Sequence, residues 1–159
     1  MRQIIRRREI VADELRYAGE PGADGTVAVR TLAEWIAGAG APGTGAAMLL
    51  SPTDEVETLS PHLQSLRWIV VEFPKLGDGR GFSQARMLRQ RYGYAHQLRA
   101  RGAIKRDQLF FLARCGFDAF DLDPAEDLAA SLAAFNTFSV AYQDGCDAVV
   151  SVRRRIPAG

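Results

Sequence analysis

Three observations on this 159-residue chain predict an α/β fold with a mostly parallel sheet of about five strands flanked by helices. Short β-branched or aromatic runs alternate with stretches of helical periodicity. Glycine, proline or aspartate marks most changes from one to the other. The length and the 47% hydrophobic content suit one domain over residues 1–152, and an eight-unit barrel does not fit. An open sheet is expected, with a partial barrel as the alternative.

Ile4 and Ile5, then Ile10, Val11, Leu15 and Tyr17, predict two short strands or a hairpin, an N-terminal appendage spanning residues 1–25. Thr26 to Val29 predict a strand. Leu32, Ala33, Trp35 and Ile36 predict a short amphipathic helix starting near Arg30 or Thr31. The glycine-rich stretch 38–45 reads as a surface loop. Ala46 to Leu50 is a small buried strand stopped by Ser51-Pro52, and the helix expected over 54–66 is broken at Ser60-Pro61.

Trp68 to Phe73 is the densest strand signal, followed by Pro74 and the turn Gly77-Asp78-Gly79-Arg80-Gly81. The helix after it turns Phe82, Ala85, Leu88 and Tyr92 inward and Gln84, Arg86, Arg89, Gln90 and Arg91 mostly outward, with Gly93 at its end. Gln97 to Arg101 is the next strand, and a helix from Asp107 closes at Gly116. Asp118 to Leu122 form a strand that ends where Asp123 can cap, and Pro124 can open, a helix carrying Leu128, Leu132 and Phe135. Phe138, Val140 and Tyr142 fit an edge strand or more helix, Ala148 to Val152 fit a strand, and residues 153–159 form a basic tail.

A net charge of +1 gives no polyelectrolyte signature, so no nucleic-acid partner is expected. No apolar run approaches the roughly 20 residues of a spanning helix, and the arginine-rich start is unlike a signal peptide. The expectation is a cytoplasmic protein without a membrane partner. Cys115 and Cys146 make no C-x-x-C, and His62 and His96 have no metal spacing, so neither an iron–sulfur cluster nor a metal site is expected. No cofactor is predicted. A flavin stays open, because flavin sites on α/β sheets need no universal motif.

In parallel α/β architecture the loops after the strands share one edge, so candidate anion- or partner-binding residues come from two adjacent loops. They are Lys75, Asp78, Gly79, Arg80 and Ser83 after one strand, and Arg99, Arg106 and Asp107 around the next. Arginines offer bidentate geometry to an oxyanion. Plainer readings stand beside this one: Asp78 is a helix cap, and Arg106 pairs with an acid such as Asp78 or Asp121. The three alternating glycines fail the dinucleotide pattern at Phe82, and no catalytic residue is assigned. Cys115 reads as a small buried hydrophobe.

Phe73-Pro74-Lys75, the run Asp78 to Arg86, Leu98-Arg99-Ala100, Arg106 to Phe110 and Arg114 to Phe120 resemble a bacterial family of unknown function. Its genes typically sit beside those for assimilatory sulfite reductase, and it is often labelled a probable oxidoreductase of sulfite reduction. Ala103 and Lys105 depart from the family pattern, while Arg99, Arg106 and Asp107 match it. The family has no established catalytic residues. The resemblance implies an accessory protein of assimilatory sulfite reduction that docks to sulfite reductase or its electron donor through a basic edge. The alternative is a small enzyme or carrier that binds sulfite, sulfate or a phosphate ester there.

Overall fold

The computed structural model describes residues 2–22, 24–38, 45–75 and 77–139. Cys146, the strand expected at 148–152 and the basic tail lie outside them. The strands are β1 (Gln3–Arg6), β2 (Glu9–Ala12), β3 (Leu15–Arg16), β4 (Val27–Thr31), β5 (Ala46–Leu50), β6 (Leu66–Phe73), β7 (Gln97–Gly102) and β8 (Ala119–Asp121). The α-helices among the described residues are α1 (Leu32–Ala37), α2 (Arg80–Arg86), α3 (Leu109–Arg114) and α4 (Leu128–Ser139).

All eight strands join one mixed sheet in the order β2-β1-β8-β7-β6-β5-β4-β3. The five expected strands are present as β4 to β8, but they are not the whole sheet. β3 extends the parallel set beside β4, and β1 runs antiparallel to β8 with β2 outside it. The hairpin is therefore sewn into the sheet, covering an edge of β8 that would otherwise expose unpaired backbone. Its turn places Arg7 and Arg8 at φ 48° and 66°, the left-handed pair of a type I′ two-residue turn.

The strand order also dictates curvature. β2 and β3 stand at opposite ends of the order, and laid flat those ends would be roughly 33 Å apart at the usual strand spacing. In the chain only Asp13 and Glu14 separate them, a reach of at most about 11 Å. The sheet must curl until its edges meet at that dipeptide, which gives an open half-barrel.

Because β3 to β8 follow one another in sequence, right-handed crossovers place their connecting helices on the same side. The outer face of the sheet accordingly carries Met48, Leu50, Ile69, Val71, Phe73, Leu98 and Ala100, packed with Trp35, Leu59, Ala85, Leu88, Leu109 and Leu112. Alternation sends the intervening residues inward, where Leu15, Tyr17, Val29, Ala47, Trp68 and Val70 form a second, smaller cluster.

Several local expectations change in the folded chain. The segment after β5 is a 3-10 helix over Val56–His62 with Pro61 inside it. Gln84 is turned in, and its amide donates to the Ser51 and Asp54 carbonyls. Arg89 is half-buried and donates to the carbonyls of Gly116, Tyr94 and His96. Asp123 caps only a turn, through the Ala125 N–H, and α4 is capped instead by Asp127. Phe138 lies in α4; the strand-or-helix choice beyond Ser139 falls outside the described residues.

Gly102, at the end of β7, has φ +123°, and a Cβ there would lie 2.3 Å from the Phe73 carbonyl oxygen. Backbone cannot yield as a flexible side chain can. Gly102→Ala should cost about 2–4 kcal/mol, read as an earlier urea midpoint with an unchanged slope.

Candidate functional site

The inner face of β7 is polar at each turn of the pleat: Gln97, Arg99 and Arg101 point in while Leu98 and Ala100 point out. A guanidinium in a closed interior needs a counter-charge. Arg99 is fully buried, and its Nη1 donates to Asp13 Oδ1 at 2.7 Å. Asp13 stands on the dipeptide that joins the sheet's edges. It also accepts from the Leu15 N–H at 2.9 Å and from Arg2 Nε at 2.8 Å. Burial opposes ionisation of Asp13, yet the Arg99 charge, the Leu15 N–H and the two guanidinium hydrogen bonds outweigh it and hold the carboxyl below its usual range.

Towards the C-terminal ends of the strands the network opens. Tyr17 lies between two guanidiniums, with Arg101 at 3.7 Å and Arg2 at 4.9 Å from its ring centroid. Burial, acting against the field of Arg99, pushes its phenol up to about 12. Arg101 Nε donates to Asp121 Oδ2 at 3.2 Å, and Arg2 pairs with Glu20 at 2.6 Å. Three guanidiniums therefore meet three carboxylates, and the network is neutral within itself. Beside it a cleft of about 480 Å³ is lined by Arg2, Arg101, Asp121, Asp123, Glu126 and the apolar Leu122, Pro124 and Leu128.

The residues expected at the edge divide between this interior and the outer rim. Asp78 and Arg80 come together, Oδ2 to Nη2 at 2.8 Å, and Asp78 also accepts the Arg80 N–H. The hydrogen bond from the Arg80 side chain holds Asp78 down at about 2. This is the turn-and-cap geometry. Lys75, Gly79 and Ser83 are exposed around it, and Arg106 and Asp107 are exposed on the 3-10 turn leading into α3. Arg99 stands apart from all of them. Since Arg80 and Arg99 already hold carboxylates, neither presents an unpaired guanidinium to an oxyanion.

Cys115 is buried, and burial raises its thiol, which suits packing and not nucleophilic attack. Among the described residues no group of three or more His, Cys, Asp or Glu is placed to hold a metal ion. No helix among them is long and apolar enough to cross a membrane.

Residues 47–152 match a family described as a bacterial protein of unknown function, DUF934. The chain belongs to that family. Such membership is what the segments between Phe73 and Phe120 imply, and they fall inside the matched span. No curated protein and no solved structure matches the chain. The DUF934 span takes in Arg99, Arg101 and Asp121, whereas Arg2, Asp13, Tyr17 and Glu20 precede it. The charge network thus joins the family segment to the N-terminal hairpin and β3.

The candidates drawn from the sequence include Arg99 but not Arg2, Arg101, Asp13, Tyr17 or Glu20. One signal was available: Gln97-Leu98-Arg99-Ala100-Arg101 alternates, whereas a parallel strand buried on both faces is normally a continuous apolar run. Charges on its inner face demand acids from elsewhere in the chain.

Asp13→Asn leaves Arg99 buried with a neutral partner and should cost about 3–5 kcal/mol at pH 7, measured by urea unfolding. Asp78→Asn, on an exposed pair, should leave the midpoint close to that of wild type. Because the folded-state pKa of Asp13 lies below its unfolded value of about 3.9, its contribution is complete above that pH and is lost as pH falls through the folded value. The gap between wild type and Asp13→Asn should therefore be flat above about pH 5 and narrow below about pH 4.

Proposed function

We propose that this protein is an accessory protein that docks to an acidic partner through the face formed by α2 and α3. The observation that carries the reading is the pairing of an exposed aromatic with excess positive charge. Phe111 is 42% exposed, and its ring meets Phe82 at 4.9 Å, which in turn meets the buried Phe73 at 5.2 Å. A surface ring backed by a core ring is rigid, as a binding anchor should be. Arg86, exposed on α2, reaches the thiol of Cys115, one helical turn beyond Phe111 on α3.

Charge on this part of the chain is lopsided. From Lys75 to Arg114 there are ten lysines and arginines against two acids, Asp78 and Asp107, although the whole chain carries only +1. Some of these cations are already engaged, as Arg80, Arg89, Arg99 and Arg101 are. Lys75, Arg86 and Arg106 remain exposed. Such a patch steers an acidic partner and fixes its orientation. The resemblance drawn on residues 73–120 names the partner to try first: sulfite reductase or its electron donor, with this chain supporting assembly or electron delivery. An oxyanion clamp of Lys75, Arg80, Arg99 and Arg106 has less support, because two of its four cations are paired within the protein.

Purified protein mixed with sulfite reductase, and separately with its electron donor, should bind at low ionic strength and release at high salt. Arg86→Glu combined with Arg106→Glu should weaken binding by about tenfold or more, and Phe111→Ser by a similar factor, with unfolding midpoints near that of wild type. Absence of association at low salt, or binding indifferent to all three substitutions, would overturn the docking reading.

A further inference from the structure

The cleft at the ends of β7 and β8 is lined by no residue of α2 or α3, and the docking reading makes no use of it. Arg101 and Asp121 are register partners on adjacent parallel strands. Their one hydrogen bond, Nε to Oδ2, occupies one of the five guanidinium N–H donors and one of the two carboxylate oxygens. Neither Nη atom of Arg101 donates to a described residue, and Asp121 Oδ1 accepts from none. The Tyr17 ring at 3.7 Å holds the guanidinium in its plane, so the free donors are fixed before any ligand arrives. Two fixed donors and one fixed acceptor thus stand side by side at the mouth of a cleft.

The rest of the lining limits what can enter. Asp123 and Glu126 add negative charge, tied through Lys105 at 3.7 and 3.8 Å. A simple dianion would face these carboxylates as well as Arg101, so an anion alone is poorly matched. Leu122, Pro124 and Leu128 supply an apolar wall on the same cleft. The end of the strands is also where parallel α/β sheets hold small molecules.

The geometry points to a binding site for a small zwitterion, an α-amino acid with an apolar side chain. Its carboxylate would take the two Nη groups of Arg101, its ammonium would donate to Asp121 Oδ1, and its side chain would lie on Leu122, Pro124 and Leu128. No covalent step is involved; the site recognises and holds its ligand.

The test is thermal stabilisation and amide-shift mapping of the full chain with L-leucine, L-methionine and L-phenylalanine at millimolar concentration. Each is run beside its deaminated acid and its decarboxylated amine. At least one amino acid should raise the melting temperature and shift amides at residues 101–103 and 121–123, while its acid and amine do neither. Arg101→Gln should weaken that binding by about tenfold or more. Leu128→Gln, which leaves every ion pair in place, should also weaken it and decides the matter if Arg101→Gln does not fold. The assignment is overturned if no amino acid of the panel binds, if the deaminated acid binds equally well, or if binding survives Leu128→Gln unchanged.

Discussion

The buried ion pair between Asp13 and Arg99 is the interaction on which the remaining architecture depends. Asp13 sits where the chain passes from one end of the strand order to the other, and Arg99 projects from the inner face of β7 towards it. Curling a sheet this tightly leaves little room for a hydrophobic interior, and among the described residues the inner cluster has six buried hydrophobic side chains. Arg99 is among the largest fully buried side chains and takes up part of that interior. The pair need not add net stability, since desolvating two charges costs about what their attraction returns. What it adds is specificity: with Arg99 charged and buried, arrangements of the hairpin that place Asp13 elsewhere carry a large penalty.

That constraint also separates the two ends of function. Inside, Arg2, Arg99 and Arg101 are matched by Asp13, Glu20 and Asp121, so these six side chains are neutral as a set and present directed donors and acceptors. Outside, the cations of α2 and α3 exceed the acids near them, and the field points to solvent. The proposed docking face and the polar cleft at the strand ends thus differ in charge: the first carries an excess of cations, the second carries both signs.

How much of this is legible in the sequence differs by element. The five runs that became β4 to β8 announce themselves through β-branched and aromatic content, and Thr31, Gly93 and Gly116 mark helix boundaries for local steric and capping reasons. The roles of Leu15 and Arg16 are not local. Two residues cannot declare themselves a strand, and β3 exists because β4 lies open beside it. Gln84 and Arg89 look solvent-facing by helical periodicity, but each reaches backbone carbonyls left open by a neighbouring loop, and periodicity carries no information about those. Of the edge residues, Asp78 and Arg80 were readable as a turn with its cap. Arg99 was readable as important but not as interior, because its partner lies 86 positions away.

The most direct test of the brace is a double-mutant cycle on Asp13→Ala and Arg99→Met, with each protein's unfolding free energy measured in urea at neutral pH. If the pair spans the interior and fixes the curl of the sheet, each single variant strands a buried charge or its vacated site. The double variant should then be less damaged than the sum, with a coupling energy above about 2 kcal/mol. Additivity within about 0.5 kcal/mol would mean that the two residues act independently, and it would contradict the view that their contact fixes the curl of the sheet.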